Sequence, residues 1–311
     1  MTEQSSTPTR AGFVAVIGAP NAGKSTLVNA LVGTKVSIVS HKVQTTRMPV
    51  RGVAMCGQTQ LVLVDTPGIF KPRRRLDRAM VKAAWTGAGE ADAVILIVDA
   101  PDLAAHPDGL AARDTHAIRE ELKKTPRKAA LVLNKIDTMK RADLLPLADA
   151  LNAEGVFEQV FMISALKGDG ISDVAAWCAA KMPESPWLYP PDQAADIPSR
   201  LFAAEITREQ LYLRLHDELP YAATVETEKW EEKKDGSVKI DQVITVQRDG
   251  QKAIVLGKGG RTVKAIGEAA RHEMEELFGR RVHLFLFVKV RENWAETREH
   301  YREMGLEYPE E

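Results

Sequence analysis

The octapeptide Gly18-Ala19-Pro20-Asn21-Ala22-Gly23-Lys24-Ser25 stands between an apolar run, Phe13-Val14-Ala15-Val16-Ile17, and a stretch that places Leu27, Leu31 and Val28, Val32 on one helical face. It meets G-x-x-x-x-G-K-[ST] at each fixed position, in the context that motif requires: a buried strand, a glycine-rich turn, then a helix start. In such a loop successive backbone N–H groups converge on an anion, and the helix N-terminus adds its partial positive charge. Residues 18–26, Thr26 included, are therefore expected to cradle a chain of phosphates, with Lys24 reaching the terminal phosphates and the Ser25 hydroxyl on Mg²⁺.

The base is read further on. Asn134-Lys135-Ile136-Asp137 ends a second apolar run, Ala129-Ala130-Leu131-Val132-Leu133. A carboxylate at Asp137 can accept from both N1–H and the 2-amino group of guanine, whereas adenine offers no such donor pair and would leave it unpaired. Asn134 and Lys135 are expected to position and stack the base. Phe161-Met162-Ile163 runs into Ser164-Ala165, a small-residue turn suited to a base-contacting loop.

Between these motifs, Leu61-Val62-Leu63-Val64 ends in Asp65-Thr66-Pro67-Gly68. Four apolar residues followed by Asp describe a buried parallel strand whose carboxylate emerges at its C-terminal end, where open α/β sheets bind ligands. Asp65 is expected to hold Mg²⁺ through water, and the Gly68 N–H to meet a γ-phosphate. A threonine of Gln44-Thr45-Thr46-Arg47 must close the metal shell; Thr46 is the first choice and Thr45 the alternative.

In this order, G-A-P-N-A-G-K-S-T, T-T-R, D-T-P-G, N-K-I-D and S-A-L-K-G, the chain resembles a translation-factor-class GTPase, and most of all the Era family. The resemblance implies catalysis by Lys24, Thr46, Gly68 and Asn21. Asn21 resembles the P-loop asparagine that lets related GTPases use K⁺ as an extra positive charge. Ile69 stands where Ras-like proteins carry a water-orienting glutamine, so intrinsic hydrolysis is expected to be slow.

The 311 residues suffice for two cores. A net charge of -1 excludes an overall basic field, so any nucleic-acid contact has to come from a local patch. Cys56 and Cys178 have no metal-ligand spacing and are expected as reduced thiols. No apolar run approaches a membrane span, and residues 1–10 are expected as a disordered leader. Alternating strands and helices over 11–182 predict an α/β fold, a Ras-like P-loop GTPase domain with a mixed, mostly parallel sheet. The proline-rich stretch 183–199 is expected as an extended linker.

Residues 200–311 read differently. An apolar-periodic helix (Leu201, Ile206, Leu211, Leu215) precedes two alternating segments around Asp235-Gly236, expected as a half-exposed hairpin. A helix, the break Gly257-Lys258-Gly259-Gly260, a second helix and the strand 282–290 follow. This order resembles a KH domain in its bacterial, type II form, a smaller α+β unit. Two glycines let the backbone approach a phosphate, and Lys258, Arg261 and Lys264 add charge beside a groove for about four nucleotides of single-stranded RNA.

A P-loop GTPase followed by a KH domain is the Era pattern. It implies GTP/GDP and Mg²⁺ as ligands, binding near the 3′ end of 16S rRNA, and a role in assembling the 30S ribosomal subunit. It also implies a cytoplasmic monomer with peripheral association at the cytoplasmic face of the inner membrane. Two functions stay open at this point. One is a GTP-hydrolysing switch that controls RNA binding; the other is an RNA-binding tethering or assembly protein that uses GTP structurally with negligible turnover.

Overall fold

The computed structural model describes residues 8–126, 128–153, 155–216 and 219–309; most of the expected leader, residues 1–7, lies outside them. Contacts divide the chain into two compact units. The first comprises residues 8–37, 46–196 and 305–309, and the second Ile38–Thr45 and Ile197–Met304.

The first unit is built on β1 (Arg10–Ile17), β2 (Val50–Cys56), β3 (Thr59–Asp65), β4 (Ala93–Asp99), β5 (Ala129–Asn134) and β6 (Phe157–Met162). Their spatial order is β2-β3-β1-β4-β5-β6, parallel throughout except for the antiparallel pair β2–β3. The helices are α1 (Lys24–Val32), α2 (Arg75–Glu90), α3 (Ala100–Ala105), α4 (Leu110–Leu122), α5 (Arg141–Asn152) and α6 (Ile171–Lys181). Alternation in the strands feeds both faces. Val14 and Val16 join Leu27 of α1 and Val174 of α6 in one core. Ala15 and Ile17 join Ala84 of α2, Ile118 of α4 and Leu144 of α5 in the other. Burial on both faces is why β3, β4 and β5 read as apolar runs. The short helix α3 starts where Asp99 accepts from the Asp102 N–H at 3.2 Å, the capping role that suits an aspartate at this position.

The proline-rich stretch does not behave as a free spacer. Val53 N donates to Ala194 O at 2.8 Å and Asp196 N to Arg51 O at 2.9 Å, so the segment pairs along the outer edge of β2. The buried Gln60 side chain accepts from the Leu188 and Tyr189 amides at 2.8 and 2.9 Å. Prolines forbid helix here, but the intervening residues keep N–H and C=O groups that satisfy an exposed sheet edge.

The second unit contains α7 (Ser199–Arg214), β7 (Ala223–Glu232), β8 (Val238–Val246), α8 (Asp249–Leu256), α9 (Arg261–Phe278), β9 (Val282–Val290) and α10 (Arg298–Glu303). The sheet order is β7-β8-β9, with β7–β8 antiparallel and β8–β9 parallel. The expected hairpin forms, but β8 is the central strand and is buried almost throughout instead of half-exposed. Leu211 and Ile244 share one apolar cluster with Ile266, and Ala203 and Ile240 share another with Met274. These clusters pack α7 and α9 against the sheet.

Candidate functional site

The P-loop joins β1 to α1 at the C-terminal end of the parallel strands. Gly23 has φ 101°, and a Cβ there would lie 2.2 Å from Asn134 Nδ2, so only glycine fits. No side chain caps the first turn of α1, which leaves the cradle to its backbone amides. Asn21 takes a left-handed φ of 62° in the exposed rim of the loop, a conformation asparagine tolerates well. Lys24 is buried at 6% exposure, with Nζ donating to Gly18 O at 3.2 Å and Ala19 O at 2.8 Å. Burial lowers its pKa to about 8, against the attraction of Asp65.

Three oxygens converge beside it. Ser25 Oγ donates to Asp65 Oδ2 at 2.7 Å, Thr46 Oγ1 donates to the same atom at 3.3 Å, and the two hydroxyls lie 2.9 Å apart. Asp65 is fully buried and its pKa is raised by desolvation, with Ser25 and Lys24 opposing. Its Oδ1 has no hydrogen-bond partner among the described residues. A buried carboxylate with an unsatisfied oxygen, next to two hydroxyls, is a hard-oxygen set that fits Mg²⁺. The Thr45 hydroxyl is engaged elsewhere, lying 2.5 Å from Ser40 Oγ and donating to Lys42 O at 2.8 Å. Of the two threonines, Thr46 faces this set.

The loop after β3 is laid on the P-loop. Ile69 N donates to Gly18 O at 3.0 Å, and a Cβ on Gly68 would meet Pro20 Cγ at 3.0 Å. The Ile69 side chain points into the core at 5% exposure, so it faces packed hydrocarbon.

At the other end of the site, Asn134 ends β5 beneath the P-loop. It is 2% exposed; its amide donates to Ala22 O at 2.9 Å and its Oδ1 accepts from Ala165 N at 3.0 Å. Both polar atoms have partners inside the protein, so Asn134 braces the P-loop against the Ser164-Ala165 turn. Lys135, at φ 66°, forms an ion pair with Asp99. Nothing local in the sequence links Asp99 to a residue 36 positions away. Asp137 is exposed on the short turn that follows β5.

In the second unit the Gly257-Lys258-Gly259-Gly260 break separates α8 from α9. Gly259 and Gly260 take φ 63° and 76°, with open space where a Cβ would stand. Left-handed backbone, not crowding, is the reason for glycine at both positions. Lys258, Arg261 and Lys264 are exposed; the Arg261 Nε donates to Lys258 O at 3.2 Å, and Lys264 lies 3.9 Å from Glu268.

Comparison with known proteins agrees with this geometry. Residues 13–135 match the family model described as 50S ribosome-binding GTPase, and residues 218–295 match the KH domain model. GTPase Era of Rhizobium meliloti (strain 1021) is 61% identical, covering 97% of this chain and 94% of its own length. GTPase Era of Brucella suis biovar 1 (strain 1330) is 60% identical, covering 99% and 96%. Two crystal structures match with TM-score 0.88 at 36% identity, covering 96% of this chain and 99% of theirs. One is Era in complex with MgGDPNP and nucleotides 1506–1542 of 16S ribosomal RNA; the other is a point variant of Aquifex aeolicus Era bound to GDP.AlF4⁻. With a Ras-like P-loop domain and a KH domain in this order, the chain belongs to the GTPase Era family.

Proposed function

We propose that this chain is a slow GTP-hydrolysing switch that binds single-stranded RNA at the 3′ end of 16S rRNA and assists assembly of the 30S subunit. The convergence of Ser25, Thr46 and Asp65 oxygens beside the buried Lys24 carries this reading. A purely structural nucleotide site has no need of a threonine that closes a metal shell from a separate loop, which weighs against a tether that merely holds GTP.

Residues 18–26 would hold the phosphates, with Lys24 and the α1 amides donating to their oxygens. Mg²⁺, held by Ser25, Thr46 and Asp65, would neutralise charge on the β- and γ-phosphates. The Gly68 N–H would donate to the γ-phosphate, while Asp137 accepts both guanine donors, Lys135 covers the base and Ser164-Ala165 closes the pocket. Since Ile69 is turned into the core, placing the attacking water falls to backbone groups and Thr46. Asn21 would hold K⁺, adding positive charge beside the transferred phosphoryl group. RNA phosphates would approach Gly257, Gly259 and Gly260, with Lys258, Arg261 and Lys264 beside them. No helix among the described residues is long and apolar enough to cross a membrane; contact with the inner membrane would be peripheral, and the working form a cytoplasmic monomer.

Single-turnover hydrolysis of GTP by the full chain tests the proposal, with K⁺ or Na⁺ and with or without a single-stranded RNA carrying the 3′ end of 16S rRNA. Measurable turnover that is faster in K⁺ is the expected outcome. No phosphate release under any of these conditions would leave the tethering function.

A further inference from the structure

The loop Ile38–Thr45, which lies between α1 and β2 in sequence, belongs to the second unit. Side chains of α7 hold its backbone at several points. Val39 N donates to Glu209 Oε1 at 2.7 Å, Arg208 Nη2 donates to Thr45 O at 2.6 Å, and Tyr212 OH donates to Gln44 O at 3.2 Å. In return Lys42 Nζ donates to Leu215 O, just past the end of α7.

Arg208 is deeply placed, at 2% exposure, beside Tyr212 at 1%. Its Nε donates to Glu205 Oε1 at 2.7 Å, and its guanidinium lies 5.3 Å from the Tyr212 ring centroid. A buried arginine–carboxylate pair adds little net stability compared with apolar side chains of the same volume. What arginine offers here is a rigid, permanently charged fork that aims a donor at one chosen carbonyl. That carbonyl belongs to Thr45, and the peptide group it terminates is planar. Orienting the Thr45 oxygen therefore orients the N–H of Thr46, the residue whose hydroxyl meets Ser25 and Asp65.

We propose that Arg208 is a positioning residue for the GTPase site: by fixing the Thr45–Thr46 peptide it sets the Thr46 hydroxyl and ties the GTP-bound state to the RNA-binding unit. This rests on the switch reading above. A loop held by α7 and completed by a γ-phosphate-dependent metal shell is shared by two ligands, so the coupling has to be reciprocal.

The test uses the full chain with Arg208→Gln, Arg208→Lys and Tyr212→Phe. Dissociation constants are measured for GDP, for a non-hydrolysable GTP analogue, and for a single-stranded RNA in each nucleotide state. In Arg208→Gln, affinity for the GTP analogue should fall about tenfold while that for GDP moves less than about twofold, and the GTP-over-GDP gap in RNA affinity should close. Arg208→Lys, which keeps the charge and one donor, should recover part of both. A role confined to stability would lower melting temperature without touching these ratios, and that result overturns the inference. Should Arg208→Gln fail to fold, Tyr212→Phe keeps the ring and removes the hydroxyl that donates to Gln44 O and hydrogen-bonds Arg208. A narrowed gap there supports the inference and an unchanged gap overturns it. A wild-type chain with no gap at all removes the switch reading itself, whereas a wild-type gap retained in every variant removes only the role of Arg208.

Discussion

Replacing Ile69 by alanine should separate what this position does for the fold from what it does for hydrolysis. In Ras-like enzymes the corresponding glutamine serves the attacking water; here the side chain is 5% exposed and packed in a core that includes Ala84 and Ala88 of α2. Truncating a buried isoleucine to alanine costs about 2–4 kcal/mol in transfer and cavity terms. In a domain of this size each kcal/mol lowers the melting temperature by about 2–4 °C, so a fall of roughly 5–15 °C is expected. The backbone contact that lays this loop on the P-loop, Ile69 N–H to Gly18 O at 3.0 Å, is kept by the substitution. Single-turnover hydrolysis should therefore stay within about tenfold of wild type, a change of at most roughly 1.4 kcal/mol in the barrier. The assay is thermal unfolding by circular dichroism together with phosphate release with the protein in excess of GTP, well below the variant's transition. A loss of about a hundredfold or more in rate with a small shift in melting would put the side chain in the chemistry and refute the reasoning.

Asp137→Asn should weaken GTP and GDP binding and shift preference to xanthosine nucleotides, because the amide donates where guanine also donates; competition binding with both nucleotides checks this, and unchanged GTP affinity would refute it. Gly259→Asp with Gly260→Asp should abolish single-stranded RNA binding while leaving GDP affinity intact, since aspartate accepts left-handed φ better than most residues but repels phosphate. Fluorescence anisotropy with labelled RNA and labelled GDP reads both, and retained RNA binding would place the contact elsewhere. Glu226 has its pKa raised by desolvation and by Glu303 and Glu228, against Arg291 and Lys289, and lies 4.0 Å from His300. A raised carboxylate penalises the folded state once ionised, so Glu226→Gln should raise the melting temperature at pH 7 and lose that advantage as pH falls toward 4; a pH-independent difference would count against this.

The phosphate-binding loop, the Asp65 strand end and the Gly-x-x-Gly break were legible because each is a short segment whose local backbone demands particular residues. Gly23 is needed where a Cβ would strike Asn134, and Gly259 and Gly260 are needed for left-handed φ. The inner strands β1, β3, β4 and β5 were equally plain, since burial on both faces writes a largely apolar run. What could not be read were partners far apart in sequence. Asn134 looks like a base-contacting residue in its tetrapeptide; only folding shows Ala22 and Ala165 on either side of it. The proline-rich stretch reads as a spacer because prolines argue locally against helix, whereas its pairing with the edge of β2 depends on backbone groups that any non-proline residue could supply. Sequence also left Thr45 and Thr46 open, and the hydroxyls divide only once Ser40 and Lys42 O engage the first of them.

Helix α7 shows the same limit from the other side. Its apolar stripe is visible in the sequence, but nothing in the pattern tells how the polar residues between are placed. In the structure Thr207, Arg208, Glu209 and Gln210 are 0%, 2%, 4% and 7% exposed in succession. Four consecutive residues cover all sides of a helix, so α7 has no water-facing side along this turn. Burying polar groups this way is tolerable only if each finds a partner. Thr207 donates to Gln242 Oε1 at 2.6 Å on β8, and Gln210 to Glu273 Oε2 at 2.8 Å on α9, so these two serve the unit's own packing. Arg208 and Glu209 instead spend hydrogen bonds on Thr45 O and the Val39 N–H, groups that a loop could have left to water. The division within a single helical turn is what sets these two residues apart: two polar side chains join the sheet and the neighbouring helix, and two reach for the loop that ends at Thr46.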